Sequence, residues 1–268
     1  MKYNRIVSGT FLQRPNRFIA HVLINGIEEI CHVKNTGRCH ELLAPGCTVY
    51  CFVSDNPLRK TKYDLIAVEK KTKNGILLVN MDSQAPNAAA KEWLQSGTSP
   101  FGKLDVIKPE CKFGNSRFDF YLECKKEPKT PDRCAANHHK TNHTATTLNG
   151  ASPSSTQNTE NNLRRIFLEV KGVTLEDNGV VLFPDAPTER GVKHVQELIR
   201  CHGEGFETWV LFVVQMERAL YFTPNRKTHP QFADALKEAR QAGVQLLAYT
   251  CKVTPDEMKI DKKLEIRL

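Results

Sequence analysis

The chain has 268 residues, of which 40% are hydrophobic and 25% charged, and its formal net charge is +8. This length is enough for two small domains with cores of their own. No apolar run approaches the roughly 20 residues that span a bilayer, and residues 1–20 lack the apolar block of a signal peptide. These features exclude a membrane protein and predict a cytoplasmic one.

The nine cysteines fit a reducing compartment, because their number is odd and no Cys-x-x-Cys pair occurs. Cys31-His32 and Cys39-His40 match no zinc-finger spacing, so incidental or buried thiols are the simpler interpretation. The basic excess lies mainly in residues 1–84, which contain 12 Lys or Arg against 7 Asp or Glu. Such a surface attracts polyanions such as nucleic acid, although a merely solvated basic face explains the charge equally well.

Short strands separated by turn signals fill residues 1–84. We predict five of them, at residues 18–24, 29–33, 47–53, 63–69 and 76–79, with Ser8 to Leu12 as a lead-in. The dipeptide Asn25-Gly26 is a strong hairpin signal between the first two strands. The pattern predicts a small antiparallel barrel of the oligonucleotide-binding (OB) type, and an SH3-like barrel stays as the alternative.

Cations and aromatic residues occur together in this predicted barrel. The loop residues that we expect to contact nucleic acid are Lys34, Arg38, Arg59, Lys60 and Lys62. The strand aromatics are Phe18, Tyr50, Phe52 and Tyr63. Binders of single strands combine cations with aromatic platforms for base stacking, but core packing explains most strand aromatics equally well. We assign Phe18 to the core and leave Tyr63 open.

Residues 85–268 alternate helix and strand signals, which predicts an α/β domain with a mixed sheet. The helices cover residues 87–96, with Asn87 as N-cap, a segment ending at His202, and residues 231–242. On the second helix, Arg190 and Lys193 lie off the apolar stripe and are further candidates for nucleic-acid contacts. Residues 127–162 contain no aromatic, Val, Ile or Met residue, so they predict a disordered insertion in a hairpin loop.

The strand from Arg165 to Val173 carries the candidate catalytic residues. Glu169 and Lys171 are two positions apart and therefore project from the same face of the strand, while Val170 points into the core. Once the insertion is set aside, Asp119 falls on the neighbouring strand of the same hairpin. Two carboxylates can hold Mg²⁺ or Mn²⁺, and a lysine beside them can offset charge developing on a phosphate. This set predicts metal-assisted phosphodiester cleavage, with a surface ion pair as the alternative reading of Glu169 and Lys171.

Longer strings of residues resemble one known family, the sugar fermentation stimulation protein family, SfsA. The strings are Lys34-Asn35-Thr36-Gly37, Lys112 to Phe120, Glu169 to Leu175, and Phe183 to His194. The resemblance implies an OB-type N-terminal barrel and a C-terminal domain of the restriction-endonuclease-like PD-(D/E)xK superfamily. It also implies DNA binding and a link to the positive regulation of sugar-utilisation genes. By this resemblance Asp119, Glu169 and Lys171 take the metal and lysine roles, and Glu110 is the accessory carboxylate of the metal site.

The sequence therefore predicts a two-domain α/β (α+β) protein, with an OB-like barrel at 1–84 and a nuclease-like domain at 85–268. The first functional hypothesis is a Mg²⁺-dependent nuclease whose partner is nucleic acid, with DNA expected. The alternative is a non-catalytic DNA-binding transcriptional regulator on a nuclease scaffold. A sugar-metabolic enzyme is a third hypothesis, which no phosphate-binding glycine loop supports. The sequence leaves the oligomeric state open, and a homodimer is compatible with it.

Overall fold

The computed structural model describes residues 1–35, 37–114, 116–126 and 163–268. The predicted insertion at 127–162 lies outside the described residues, so its disorder stays a prediction. Within the described ranges, no helix is both long enough and apolar enough to cross a membrane.

The N-terminal part of the chain forms a closed five-stranded barrel. Its strands are β1 Ile6–Gln13, β2 Ile19–Ile24, β3 Ile27–Val33, β4 Thr48–Val53 and β5 Tyr63–Thr72. The order is β1-β2-β3-β5-β4, and the barrel closes through the antiparallel β1–β4 pair and the parallel β3–β5 pair. The predicted OB-like barrel is confirmed.

Two strands have roles that differ from the prediction. The predicted lead-in is part of β1, which pairs with both β2 and β4 and is needed to close the barrel. The last predicted strand, β6 Gly75–Asn80, instead extends the sheet beyond β5. The Asn25-Gly26 turn is as expected, because both residues have positive φ, 51° and 80°, as a two-residue hairpin turn requires.

The C-terminal part is an α/β domain built on a mixed sheet. Its elements are α1 Ala85–Gln95, β7 Val106–Phe113, β8 Ser116–Lys125, β9 Leu163–Val173, β10 Leu175–Asp177, β11 Val180–Phe183, α2 Glu189–Gly203, β12 Glu207–Val214, β13 Tyr221–Pro224, α3 Pro230–Gln241, β14 Gln245–Thr254 and β15 Glu257–Lys263. The main sheet has the order β15-β14-β12-β9-β8-β7, with parallel β9, β12 and β14 at its centre. A small second sheet joins β10, β11 and β13. The predicted mixed sheet with flanking helices is confirmed.

Helices cover both faces of the main sheet. On one face, Trp93 and Leu94 of α1 belong to the same apolar cluster as Val170, which confirms the predicted direction of Val170. On the other face, α2 and α3 pack on a second cluster. That second cluster continues without a break into the barrel interior and includes both Phe11 of β1 and Phe212 of β12.

The helix boundaries explain one wrong assignment. Helix α1 begins at Ala85 with Pro86 in its first turn, so Asn87 lies inside the helix and is not its N-cap. Proline is favoured at this place because its missing N–H would lack a helical partner anyway. In α2, Thr188 is the N-cap, and its Oγ1 accepts a hydrogen bond from the N–H of Gly191 at 3.0 Å.

Buried polar side chains join the barrel to the α/β domain. The amide of Gln215, which follows β12, donates to the backbone oxygens of Asn80 and Asp82 at 3.0 and 3.2 Å. The hydroxyl of Tyr3 donates to Oδ2 of Asp82 at 3.1 Å, and the N–H of Tyr3 bonds to the carbonyl of Asp256 in the turn before β15. The extreme N-terminus therefore contacts both parts of the chain, since Tyr3 also packs against Ile66 and Ala67 of β5.

Candidate active site

The antiparallel pair β8–β9 brings the two predicted carboxylates together. Its ladder runs from Lys125 opposite Leu163 to Phe120 opposite Leu168. Asp119 and Glu169 are the next residues beyond this last pair, one on each strand. The predicted placement of these residues on neighbouring strands of one hairpin is confirmed.

The side-chain alternation of β8 breaks at Asp119. Phe120 belongs to the cluster under α1, but Phe118 belongs to the cluster on the α2 side. There its ring centroid lies 4.8 Å from that of Phe167. Glu110 of the neighbouring strand β7 lies between two residues that pair with β8, and its φ is positive, 55°. Phe118 and Phe120 therefore contact different clusters, although residues two apart in a regular strand share a face, and Glu110 marks an irregularity of the paired strand β7.

The carboxylate of Asp119 is held by two donors. Its Oδ1 accepts from Nδ2 of Asn87 at 2.8 Å, and its Oδ2 accepts from the backbone N–H of Val170 at 2.7 Å. Burial, together with the nearby charge of Glu169, raises the pKa of Asp119 to about 6, and the two hydrogen bonds only partly offset this rise. The half-buried carboxyl of Asp119 is thus close enough to the buried Glu169 for the charge of Glu169 to act on it.

Glu169 is buried, with 2% of its surface exposed, and its two carboxylate oxygens differ sharply. Oε1 accepts from Nζ of Lys171 at 2.6 Å and is also bonded to Nδ1 of His194. Oε2 is buried and has no hydrogen-bond partner among the described residues. Burial opposes the charge of Glu169, but the bond to His194 and the charge of Lys171 outweigh it and hold the pKa of this carboxyl below its usual range.

His194 is the first site residue that sequence analysis missed. It lies on α2, and its Nε2 is 3.4 Å from Nε of Arg190, which can only donate. The network therefore assigns the proton of His194 to Nδ1, from which it donates to Glu169. Arg190, one of the predicted nucleic-acid contacts, is exposed and is linked through His194 to the buried carboxylate.

Glu110 does not join the other carboxylates in a ligand set. Its side chain is 59% exposed and lies 3.1 Å from the guanidinium of Arg117. Across the described part of the chain, no three His, Cys, Asp or Glu side chains are arranged to hold a metal ion. The expected third ligand is thus directed to solvent by the irregularity of β7, and Asp119 and Glu169 remain as a pair.

The barrel cations fall into two groups. Lys34 and Arg59 contact the buried carboxylate of Asp64, with 3.1 Å from Nζ of Lys34 to Oδ2 and 3.0 Å from Nη1 of Arg59 to the same oxygen. Burial raises the pKa of Asp64, but these bonds outweigh it and lower the pKa. The two cations neutralise an internal charge instead of facing solvent as predicted. Five other predicted contacts are exposed, namely Arg38, Lys60, Lys62, Arg190 and Lys193.

The aromatic residues of the barrel differ from the assignment made for Phe18. Its side chain is 55% exposed and is not part of the core, because it precedes β2 in the β1–β2 loop. Tyr63 is buried, with 7% exposed, and Nζ of Lys62 lies 5.2 Å from its ring centroid. Of the four barrel aromatics named in the sequence, Phe18 is therefore the exposed one.

Comparison with known proteins identifies the family. The family described as "Sugar fermentation stimulation protein RE domain" matches residues 84–131 and 154–257, and the "SfsA N-terminal OB domain" family matches residues 12–79. The chain belongs to the SfsA family.

Curated relatives of this SfsA chain match over its full length. A sugar fermentation stimulation protein homolog from Desulfitobacterium hafniense strain Y51 is 49% identical and covers 100% of this chain and 99% of its own. One from Ruminiclostridium cellulolyticum is 45% identical and covers 100% of both chains. The solved structure of Pyrococcus furiosus SfsA in complex with Ca²⁺ has a TM-score of 0.76 at 24% identity and covers 100% of this chain and 98% of that chain. At this identity the likeness shows the shared fold.

The site of this SfsA chain thus has two members that the sequence patterns did not indicate, Asn87 and His194. Asn87 was assigned to helix capping, although Pro86 signalled an earlier helix start. His194 appears in the sequence analysis only as the end of one of the strings that resemble the family. Its position four residues after Arg190, on the polar face of a helix that packs on β9, was the available signal.

Proposed function

We propose that this SfsA family member is a nucleic-acid-binding protein with a divalent-metal-dependent phosphodiesterase site that acts on DNA. The observation that carries the proposal is the state of Glu169. A buried carboxylate keeps one oxygen bonded to two donors and the other without a partner, beside a second carboxylate, Asp119. A buried acceptor left unpaired is costly, so it indicates a ligand that is a cation or a donor.

The residues present fit Mg²⁺ or Mn²⁺. Both ions prefer oxygen ligands, and Mg²⁺ commonly uses one or two carboxylates together with water and substrate phosphate. Asp119 and Glu169 would hold the ion, and Oε2 of Glu169 is the free oxygen. The two-carboxylate set leaves most ligand positions to water and to the substrate, which suits a site that handles phosphate.

The surrounding side chains orient this pair and supply positive charge. Asn87 and the N–H of Val170 fix the carboxylate of Asp119, and His194 fixes that of Glu169. A bound divalent cation supplies Lewis-acid polarisation of the phosphate and lowers the pKa of a bound water. Lys171 lies beside the carboxylates with 13% of its side chain exposed, where its ammonium can stabilise charge that develops on the phosphate.

The barrel offers a surface for the nucleic acid strand. In OB folds, oligonucleotides bind across strands 2 and 3 and the adjoining loops. Here that face presents Phe18 and Ile30, 55% and 51% exposed, together with the exposed loop residues Lys60 and Lys62. An exposed aromatic ring next to cations is the combination that stacks bases and neutralises phosphates. We place this function in the cytoplasm, in keeping with the eight free cysteines among the described residues.

The test combines metal binding with cleavage. Calorimetry with Mn²⁺ should show binding that is lost in Asp119→Asn and in Glu169→Gln. Single- and double-stranded DNA and RNA are then incubated with Mg²⁺ or Mn²⁺, and cleavage should require the metal and both carboxylates. Glu176→Gln is the matched control, because Glu176 is also buried and lies 2.6 Å from a lysine, Lys70, outside the site. Wild-type protein that binds no Mn²⁺ and cleaves no substrate would refute the proposal.

The second candidate is a DNA-binding regulator without catalysis, and one observation favours it. Lys171 and His194 both contact Oε1 of Glu169, so the charge of that carboxylate is already compensated without a metal. Calorimetry of DNA binding, together with the cleavage assay, separates the two functions. A regulator binds DNA with equal affinity in the presence of Mn²⁺ and of EDTA, whereas the nuclease needs the metal for turnover.

A further inference from the structure

A cleft of about 200 Å³ lies between the barrel and the α/β domain. Three of the four strings that carry the family resemblance meet there. Asn35 and Gly37 come from the loop after β3, Gly172 and Thr174 from the end of β9, and Asp185 from the segment before α2. None of these residues belongs to the carboxylate pair, so the proposed nuclease site does not explain why they converge.

At two positions of this cleft, glycine leaves room for a neighbouring side chain to lie against the backbone. A Cβ on Gly37 would lie 2.2 Å from Oδ2 of Asp185, and a Cβ on Gly172 would lie 2.5 Å from Oε1 of Gln215. Both distances are far below van der Waals contact. The two glycines therefore let the backbone come close to an acidic and an amide side chain. A larger residue at either position would displace the acceptor that lies there.

In the cleft, the side-chain N–H donors already have hydrogen-bond partners, whereas two side-chain acceptors have none among the described residues. The donors are taken by neighbouring backbone: Nδ2 of Asn35 bonds to the carbonyl of Met81, and Nε2 of Gln215 bonds to Asn80 and Asp82. By contrast, neither the carboxylate of Asp185 nor Oε1 of Gln215 receives a hydrogen bond from any described residue, although Gln215 is only 2% exposed. Among the described residues, these two oxygens are therefore free to accept hydrogen bonds from the donors of an occupant.

The size and the lining of the cleft indicate which kind of donor-bearing ligand fits it. Its volume corresponds to about seven water molecules, well above what one small cation fills. Part of its lining is apolar, including Leu182 and Phe183. Among the described residues that line the cleft, Asp185 is the only His, Cys, Asp or Glu, and one carboxylate is a poor metal site; the described residues also contain no group of three such side chains. A planar ring with amino and imino N–H groups along one edge fits both the acceptors and the apolar wall.

We propose that this cleft binds one unstacked nucleobase that carries an exocyclic amino group, and so reads base identity. The inference rests on the proposed nucleic-acid binding and adds its specificity. Guanine, cytosine and adenine offer an amino group to Asp185 and Gln215, whereas thymine and uracil offer none. The carboxylate repels phosphate, so the base edge enters the cleft and the backbone passes outside it.

The cleft lies close to the carboxylate pair along the chain, so recognition of a base in the cleft can affect the proposed nuclease site. Gly172 directly follows Lys171 in β9, and Asp185 lies in the segment that leads into α2, which carries His194. A base held by Asp185 and Gln215 therefore fixes the strand next to the carboxylate pair. Base preference would thus appear in the choice of the bond that is cut, as well as in affinity.

The experiment measures fluorescence anisotropy of labelled single strands of equal length. Wild-type protein is titrated with oligo(dC), mixed oligomers containing one guanine in a thymine background, and oligo(dT), in EDTA to exclude cleavage. We expect affinity for the amino-bearing strands to exceed that for oligo(dT) by about tenfold, the effect of one good base contact. Asp185→Asn should remove or invert this preference, because an amide can donate to thymine, while the salt dependence stays unchanged. Lys60→Ala is the control and should weaken all strands equally.

A second measurement keeps the two proposals apart. Thermal shift with dGMP and dCMP against dTMP tests the cleft without a polymer, and only the first two should stabilise wild-type protein, an effect lost in Asp185→Asn. Equal affinity of wild type for all strands, or an unchanged preference in Asp185→Asn, overturns the cleft proposal and leaves nucleic-acid binding intact. Protein that binds no strand but discriminates the mononucleotides retains the cleft and loses the proposed function. Protein that binds no strand and discriminates no mononucleotide overturns both proposals.

Discussion

Nδ1 of His194, on α2, donates a hydrogen bond to Oε1 of Glu169, on β9. This bond and the one from Lys171 leave Oε2 as the free oxygen of the carboxylate. The orientation of a metal-binding carboxylate depends on such outer partners, whose loss typically costs 10–100-fold in metal affinity.

Variants of His194 test this orientation. His194→Ala should lower Mn²⁺ affinity by about tenfold or more. His194→Asn places an amide N–H close to the position of Nδ1 and should restore most of the affinity, whereas His194→Gln, whose amide lies one bond further out, should not. Calorimetry gives the affinity, and circular dichroism excludes unfolding. Equal Mn²⁺ affinity in all three variants would show that His194 does not orient Glu169.

The raised pKa of Asp119, about 6, predicts how metal binding depends on pH. Metal requires the ionised carboxylate, so Mn²⁺ affinity should fall as the pH drops through 6, well above the ordinary range of an aspartate. Calorimetric titrations between pH 5 and 7.5 measure this directly. An affinity that stays constant down to pH 5 would mean that Asp119 is ionised throughout or is not a ligand.

The same pKa has a consequence for stability in the absence of metal. In the unfolded chain Asp119 ionises near pH 4, but in the folded protein it keeps its proton up to about pH 6. The unfolded state therefore binds fewer protons in this window, and the free energy of unfolding falls as the pH rises from about 4 to 6. Asp119→Asn should remove this fall and be more stable than wild type at pH 7, by on the order of 1 kcal/mol. Urea denaturation at pH 4.5 and 7 tests the difference, and wild type that gains stability relative to Asp119→Asn over this range would contradict it.

Arg59 and Lys60 are neighbours in one loop and should behave differently. Arg59→Ala removes a partner of the buried Asp64, which keeps only Lys34 and His32, so the variant should lose about 2 kcal/mol of stability. Lys60→Ala changes an exposed side chain and should stay within about 0.5 kcal/mol of wild type. Thermal and urea denaturation compare the two variants, and equal stability would remove the structural role of Arg59.

The barrel surface predicts a separation of stacking from charge. Phe18→Ala should weaken binding of single-stranded DNA by about 1–3 kcal/mol and leave the salt dependence unchanged, because stacking releases no counterions. Replacing both Lys60 and Lys62 by Ala should flatten the slope of log affinity against log salt by up to about two. Anisotropy titrations at several salt concentrations measure both effects. If neither substitution alters binding, the strand does not cross this face of the barrel.

Residue patterns predicted the barrel, the mixed sheet and the meeting of Asp119 with Glu169 because each depends on local signals. The alternation of side chains along a strand predicted that Glu169 and Lys171 share a face, and the hairpin predicted that Asp119 lies beside them. What the patterns missed depends on partners remote in sequence. Arg59 looks like any loop cation until the parallel β3–β5 pair brings His32 opposite Asp64 and buries that carboxylate. Phe18 looks like a core residue until the chain is seen to expose it before β2 begins.

The apolar cluster that runs from Phe11 in the barrel to Phe212 in the α/β domain makes the two parts of the chain depend on each other for stability. Two modules that share one core cannot be cut apart without exposing hydrocarbon on both pieces. The halves should therefore melt as a single cooperative unit, and neither should be recovered in soluble form on its own. If a nucleic acid binds across the barrel and the carboxylates as proposed, this shared core predicts that the two parts do not close on it as separate bodies.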